Sequence, residues 1–184
     1  MMNRSLLNIK KTLKVDSGFT IEDGGFTIVE LVIYMGLFSI LLVVMTQMFI
    51  STLKVQLSAE STSNVEQDSR FILARMMYDI QNASDIVIPA TLGAAPGNTL
   101  HIRVSGNDYT FTLSGADLIL DVNGTPNKLN GHDTRITNLS FQRLGNPGGD
   151  NSIKIGFTVI SLVNLSSGPE LKNVNTVIGL RPNL

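Results

Sequence analysis

The sequence predicts an α+β protein. A long N-terminal helix, membrane-spanning in its first half and amphipathic in its second, packs on an antiparallel β-sheet headgroup. Three observations carry this expectation. Residues 31–53 hold no Asp, Glu, Lys or Arg. Val65, Ile72, Leu73, Met76, Met77 and Ile80 then recur at helical spacing, marking one face of a helix. After Asp85 the apolar period drops to two, and short turn sequences punctuate the chain as they do between hairpin-linked strands.

The elements follow in order. Residues 1–25 are polar, with Arg4, Lys10, Lys11 and Lys14 ahead of Asp16, Glu22 and Asp23. Residues 26–53 form the span. At about 1.5 Å per residue the uncharged run reaches roughly 35 Å, enough to cross the hydrocarbon core of a bilayer. The basic residues in front predict a cytoplasmic N-terminus, with everything beyond Lys54 outside. An ordinary secretory signal fits poorly, because the run is too long and no Ala-x-Ala site follows it. The small pair Gly24-Gly25 instead precedes the run, so a cut there removes the leader and keeps the helix.

Residues 54–84 continue as an amphipathic helix, since no Gly or Pro interrupts residues 37–88. One helix over 26–82 is expected. The alternative is two helices with a break at 58–64, where Ser and Thr cluster. Residues 85–184 form the headgroup, with strands expected at 86–88, 99–104, 109–113, 117–122, 134–143, 153–163 and 173–180. Between them lie "SGND", "SGAD", "NGTPN", "GNPGGDN" and "SSGPE". "RVSGNDYTFTL" reads as a hairpin, because Gly and Asn supply positive φ at its tip. The inner face of the sheet is expected to cover the apolar stripe of residues 65–80.

Composition narrows the function classes. Net charge is −1 and the basic residues never form a run, which argues against a nucleic-acid surface. Without cysteine there is no disulfide, thiolate metal site or lipid anchor through sulfur. His101 and His132 lie far apart without acids at ligand spacing and read as structural. "DVNGTPN" has the oxygen-rich look of a calcium loop but no later bidentate acid nearer than Asp133, so a plain turn is expected. No nucleophile elbow and no glycine-rich phosphate loop appears. Met35, Met45, Met48, Met76 and Met77 read as helix packing. Asn-x-Ser/Thr matches at Asn82, Asn123, Asn138 and Asn164 are expected by chance in so Asn- and Ser-rich a chain. No enzyme activity, cofactor or metal is expected.

One acid, Glu30, stands at the front edge of the apolar run. A carboxylate near a bilayer centre costs about 2.5–3.5 kcal/mol, and less close to the interface. The surrounding stretch "GGFTIVELVIYMGLFSILL" resembles the class III signal of type IV pilins and pseudopilins. The matching elements are Gly25, Phe26, Thr27, two apolar residues, Glu30 and an unbroken apolar helix. This resemblance implies removal of residues 1–25 by a membrane prepilin peptidase, cleaving between Gly25 and Phe26, and methylation of the new Phe26 amine. It implies that Thr27 and Glu30 serve assembly, the Glu30 carboxylate meeting the N-terminal amine of a neighbouring subunit. An α-amine titrates near pH 8 in water, so the pair is oppositely charged at neutral pH, and in an apolar surround each partner is worse off alone. The alternative from position alone is a Glu30 hydrated at headgroup level. A second "GFTIE" occurs at residues 18–22, but cutting there leaves two acids and two glycines in the first turns of the helix. That copy reads as a decoy.

The layout "RFILARMMYDIQNAS" followed by sheet, with "ITNLSFQRL" and "IKIGFTVISLV" late, looks like J-type minor pseudopilins of type II secretion and minor pilins. Two departures from major pilins favour a minor subunit: "LLVVMTQMF" lacks a helix-melting Pro, and no Cys pair closes a C-terminal loop. Retention of Glu30 argues against the K-type pseudopilin at the extreme tip. The implied partners are other pilin or pseudopilin subunits, the prepilin peptidase/N-methyltransferase, and indirectly an inner-membrane platform and motor ATPase. The implied location is the bacterial cytoplasmic membrane, single-pass, and then the filament. The alternative function is a single-pass anchored β-domain acting as an adhesin, DNA-binding minor pilin or sensor.

Overall fold

The helix expected at the N-terminus exists as one unbroken element, α1 (Ile28–Gln81). The structure, a computed structural model, describes residues 25–146, 151–165 and 167–181. The leader up to Gly24, with its second "GFTIE", lies outside the described residues. So do residues 147–150 of the expected turn "GNPGGDN" and Ser166 of "SSGPE". The described chain falls into two units that meet within α1, one ending at Thr46 and one starting at Gln47.

In the first unit the apolar side chains of α1 are exposed, among them Leu31, Leu37, Phe38, Leu41 and Met45. This helix segment is long and apolar enough to cross a membrane, and none of its most apolar window is buried in protein. Its few hydroxyls are satisfied internally: Ser39 donates to the Met35 carbonyl at 2.7 Å and Thr46 to that of Leu42 at 2.8 Å. That is what a polar side chain must do where no water can reach it.

The second unit takes α1 from Gln47 onward and adds eight strands. They are β1 (Asp85–Ile88), β2 (Leu100–Val104), β3 (Asn107–Ser114), β4 (Asp117–Val122), β5 (Thr125–Lys128), β6 (Thr134–Gly145), β7 (Asn151–Ser161) and β8 (Leu171–Gly179). All pairings are antiparallel. Instead of one sheet there are two, ordered β1-β2-β3-β4-β5 and β6-β7-β8. They are tied by backbone where the Ile136 N–H donates to the Ala116 carbonyl at 2.8 Å. Arg143 ties them by side chain, its guanidinium donating to the carbonyls of Ile86 and Ala90, each at 3.2 Å.

Helix residues 58–64 are helical, so the break considered there is absent. The buried face of α1 is Ser61, Val65, Ser69, Ile72, Met76, Asp79 and Ile80. Ile72, Met76 and Ile80 meet Leu100, Ile102, Phe111, Ile136, Phe141 and Ile155 in a single core. The expectation for Met77 is corrected: it is 38% exposed, because one step beyond Met76 turns the side chain about 100° off the core face.

The stretch "NGTPN", expected as turn, is corrected in part. Asn123 (φ 52°) and Gly124 (φ 86°) make a two-residue hairpin turn, and Thr125–Lys128 pairs with β4 as an exposed edge strand. Pro126 is tolerated there because an edge strand need not donate on both sides. Gly156, in the central strand β7, is required by close approach: a Cβ would sit 2.6 Å from Ser140 Oγ and 2.9 Å from Asn175 Oδ1.

Candidate functional site

The opening turn of α1 is built by its own sequence. Thr27 lies just before the first helical residue, and its Oγ1 accepts the Glu30 N–H at 3.2 Å. The Thr27 carbonyl accepts the Leu31 N–H at 3.1 Å, the first helical hydrogen bond. Thr27-Ile28-Val29-Glu30 is therefore an N-cap with an acid at its third helical position. Free N–H groups at a helix start carry partial positive charge, so a carboxylate in this turn is favoured by the helix itself.

In a reciprocal capping box the Glu30 side chain turns back to the cap. Here it faces forward, and Oε1 accepts the Tyr34 hydroxyl one turn on at 3.1 Å. The Tyr34 ring in turn meets Phe26 edge to face, with centroids 5.9 Å apart and planes at 74°. Phe26 is 72% exposed and Glu30 is half-buried. Among the described residues no Lys, Arg or His forms an ion pair with Glu30. The carboxylate has one neutral donor and unused acceptor capacity, set on an otherwise apolar surface.

The structure thus brings Phe26, Thr27 and Glu30 together within one turn, with Gly25 exposed just ahead of them. Among the described residues, nothing stands within 4 Å of a Cβ on Gly25. Sequence reasoning missed two features. The cap was legible as Thr-x-x-Glu ahead of an apolar run. Tyr34 was legible as the residue four positions after the acid, within reach on the same helix face.

In the headgroup, the residues of the calcium-like stretch use their oxygens locally. Asp121 Oδ1 accepts the Gly124 N–H at 2.6 Å, and Asn123 Oδ1 accepts the Asp108 N–H at 2.9 Å. Both bonds shape hairpin turns. His101 lies on β2, its Nε2 3.3 Å from Asp108 Oδ1, while His132 lies in the loop between β5 and β6. Among the described residues no group of three or more His, Asp or Glu is placed to hold a metal ion.

No known family model, curated protein or solved structure matches the chain.

Proposed function

We propose that the chain is a minor pilin or pseudopilin, a subunit of a type IV pilus or type II secretion-like filament rather than an enzyme. A prepilin peptidase cuts it between Gly25 and Phe26, and it assembles through its N-terminal helix. The observation that carries this reading is the state of Glu30. It is a lone carboxylate on the first turn of an exposed apolar helix, bonded by the Tyr34 hydroxyl yet lacking a cationic partner among the described residues.

The freed Phe26 amine of an adjoining subunit is a partner of the right charge and size. The two groups gain most where water is scarce, because either one alone is costly there. The pairing therefore favours a single register between neighbouring helices. Motor-driven extrusion then lifts the subunit out of the membrane, with the β headgroup outside.

Mass spectrometry of the chain purified from envelopes tests this. The expected mature N-terminus is methylated Phe26. A polypeptide still beginning at Met1 would overturn the reading and leave a membrane-anchored β-domain.

A further inference from the structure

Among the described residues, three of the four sheet edges in the headgroup are blunted. β1 is four residues long, its register shifts between Ile86 and Ile88, and Pro89 follows it. β5 is four residues long and contains Pro126. β6 is bulged between Thr137 and Ser140, and its outer edge is covered where Gly97 pairs with Phe141 and Ile136 bonds to Ala116. Shortness, Pro, bulges and covering segments all keep foreign strands off a sheet. β8 has none of these. It is nine residues long, contains no Pro and pairs with β7 without a register shift.

The hydrogen bonds at its two ends fix what this edge offers. The Ser161 N–H donates to the Glu170 carbonyl at 2.8 Å, and the Leu180 N–H to that of Asn151 at 3.0 Å. Antiparallel pairs alternate between bonded and non-bonded, so the even-numbered residues of β8 bond to β7. The peptide groups of Leu171, Asn173, Asn175, Val177 and Gly179 therefore point away from the sheet. No other backbone group among the described residues bonds to them. Their side chains are exposed and uncharged, and that of Asn173 leans back over β7 to accept the Thr158 hydroxyl at 2.6 Å. The neighbouring charge, Lys172, is held by Glu66.

This edge opens beside the second half of α1, within the unit that starts at Gln47. Lys172 pairs with Glu66, and the Arg181 N–H reaches the Gln81 carbonyl at 3.3 Å, so strand and helix run in the same direction. Between these ties, residues 173–175 face Ser69, Arg70 and Leu73 across an open groove of about 220 Å³. Met77, one turn beyond Leu73, continues that side of the helix and is partly exposed. One wall of the groove is thus unpaired backbone, and the other carries apolar side chains. Its Lys172 end holds two cations, Arg70 and Lys172, against the single acid Glu66.

We infer that β8 takes up an extended peptide segment of a partner protein as a fourth strand of its sheet. An extended chain is what matches a row of alternating N–H and C=O groups at strand spacing. Alternate side chains of the segment then fall toward Leu73 and Met77, where apolar residues are favoured. The surplus positive charge favours a carboxylate at the Lys172 end. The site needs neither leader removal nor filament assembly, so its failure leaves that reading standing.

Fluorescence anisotropy with the detergent-solubilised full chain tests this. The probe is a labelled peptide of Glu-Asp followed by alternating Val and Thr, and saturable binding is expected. Two further probes are N-methylated at alternate residues, in the two possible phases. The phase facing β8 should bind about tenfold more weakly, as the loss of two hydrogen bonds implies, and the other phase nearly as well as the parent. Val177→Pro removes an outward N–H that β7 does not use, so the sheet should survive while the probe is lost. Arg70→Glu, at an exposed side chain, should weaken the acidic probe severalfold and favour one beginning Lys-Lys. An absence of saturable binding, or equal binding of both methylated probes and the parent, overturns the inference. So does unchanged affinity in a Val177→Pro chain whose circular dichroism matches the parent. If Val177→Pro does not fold, the methylated probes and Arg70→Glu decide. Dimerisation of the chain that competes with the probe would make a second copy the occupant and overturn the peptide assignment.

Discussion

Asp68 on α1 accepts the backbone N–H of Gly131 at 2.7 Å, and the same carboxylate oxygen takes the hydroxyl of Thr134 at the start of β6. One helix side chain therefore fixes the start of the three-stranded sheet against the helix. Gly131 is matched to this contact, since a Cβ there would stand 2.9 Å from Asp68 Oδ2. Asp68→Ala removes the acceptor and leaves a half-buried N–H and the hydroxyl of a buried Thr134 without it. The expected loss is about 2 kcal/mol, since hydrogen bonds to charged groups are among the stronger ones. For a domain of this size that lowers Tm by about 4–8 °C. Thermal unfolding of the detergent-solubilised chain, followed by circular dichroism, measures it. Asp68→Asn should lose less, because its carbonyl oxygen still accepts.

Glu30→Ala is expected to leave membrane insertion and leader removal intact while reducing incorporation into filaments. The Thr27 cap does not use the Glu30 side chain, so the helix start survives the change. Quantifying the variant in sheared filaments against its total in membranes gives the result; unchanged incorporation would count against the carboxylate–amine pairing. Tyr34→Phe keeps the ring against Phe26 but removes the donor to Glu30. A smaller loss, in the same assay, is expected from it.

A residue bulkier than Gly at position 25 is expected to slow leader removal. Among the described residues nothing stands within 4 Å of a Cβ at Gly25, so under the proposed processing the penalty is expected from the grip of the peptidase. Accumulation of the longer precursor on a gel reads this out, and unaltered processing would place the cut elsewhere.

The pH dependence of stability has two opposing parts. Lys172 and then Arg70 hold the Glu66 carboxyl below its usual range; His101 and then Arg103 do so for Asp108, and Lys128 followed by Asn130 for Asp117. Groups lowered by folding contribute stability that is complete above their unfolded values and is lost as pH falls through the folded ones. Asp79 runs the other way. It is buried, and burial pushes its carboxyl up even though Arg75 donates to it at 2.7 Å. Between its ordinary value of 3.8 and the raised one, the native state binds more protons than the unfolded state. Stability therefore falls as pH rises through that window. Asp79→Asn should remove this component, so that its Tm relative to the parent is highest near neutrality and declines toward pH 4. A Tm difference independent of pH would contradict the assignment.

The fold was legible wherever one residue type dominated a period. The uncharged run and the strands with alternating apolar residues could be read directly, but the tip of the β2–β3 hairpin, expected at Gly and Asn, falls instead at Ser105 (φ 50°) and Gly106 (φ 81°), with Asn107 already paired to Val104. β5 was hidden because its four residues are exposed and include Pro126, so no apolar alternation marks it. The division into two sheets was hidden because hairpin signals specify neighbours in sequence and not where a ladder stops. The core face of α1 was only partly visible, since Ser61, Ser69 and Asp79 hold positions that an apolar search skips. At the candidate site, Glu30 announced itself as the wrong chemistry for its surroundings. The spacing of Tyr34 put its side chain within reach of the acid, but the turn of its hydroxyl onto the carboxylate depends on a rotamer that no spacing rule fixes.

Ser61 supplies the sharpest test of that hidden helix face. It is fully buried, and its hydroxyl has no hydrogen-bond partner among the described residues. Ser69, two turns on, shows the usual remedy, donating to the Val65 carbonyl within the helix. An unsatisfied buried hydroxyl costs about 1–3 kcal/mol, whereas Ala fills nearly the same volume and is the better helix former. Ser61→Ala is therefore expected to stabilise the chain, raising Tm by about 2–4 °C for each kcal/mol recovered. Ser69→Ala, which removes a hydroxyl already bonded, is expected to move Tm little. If Ser61→Ala instead lowers Tm, the hydroxyl has a partner in the folded protein and the packing of this turn of α1 differs from that described.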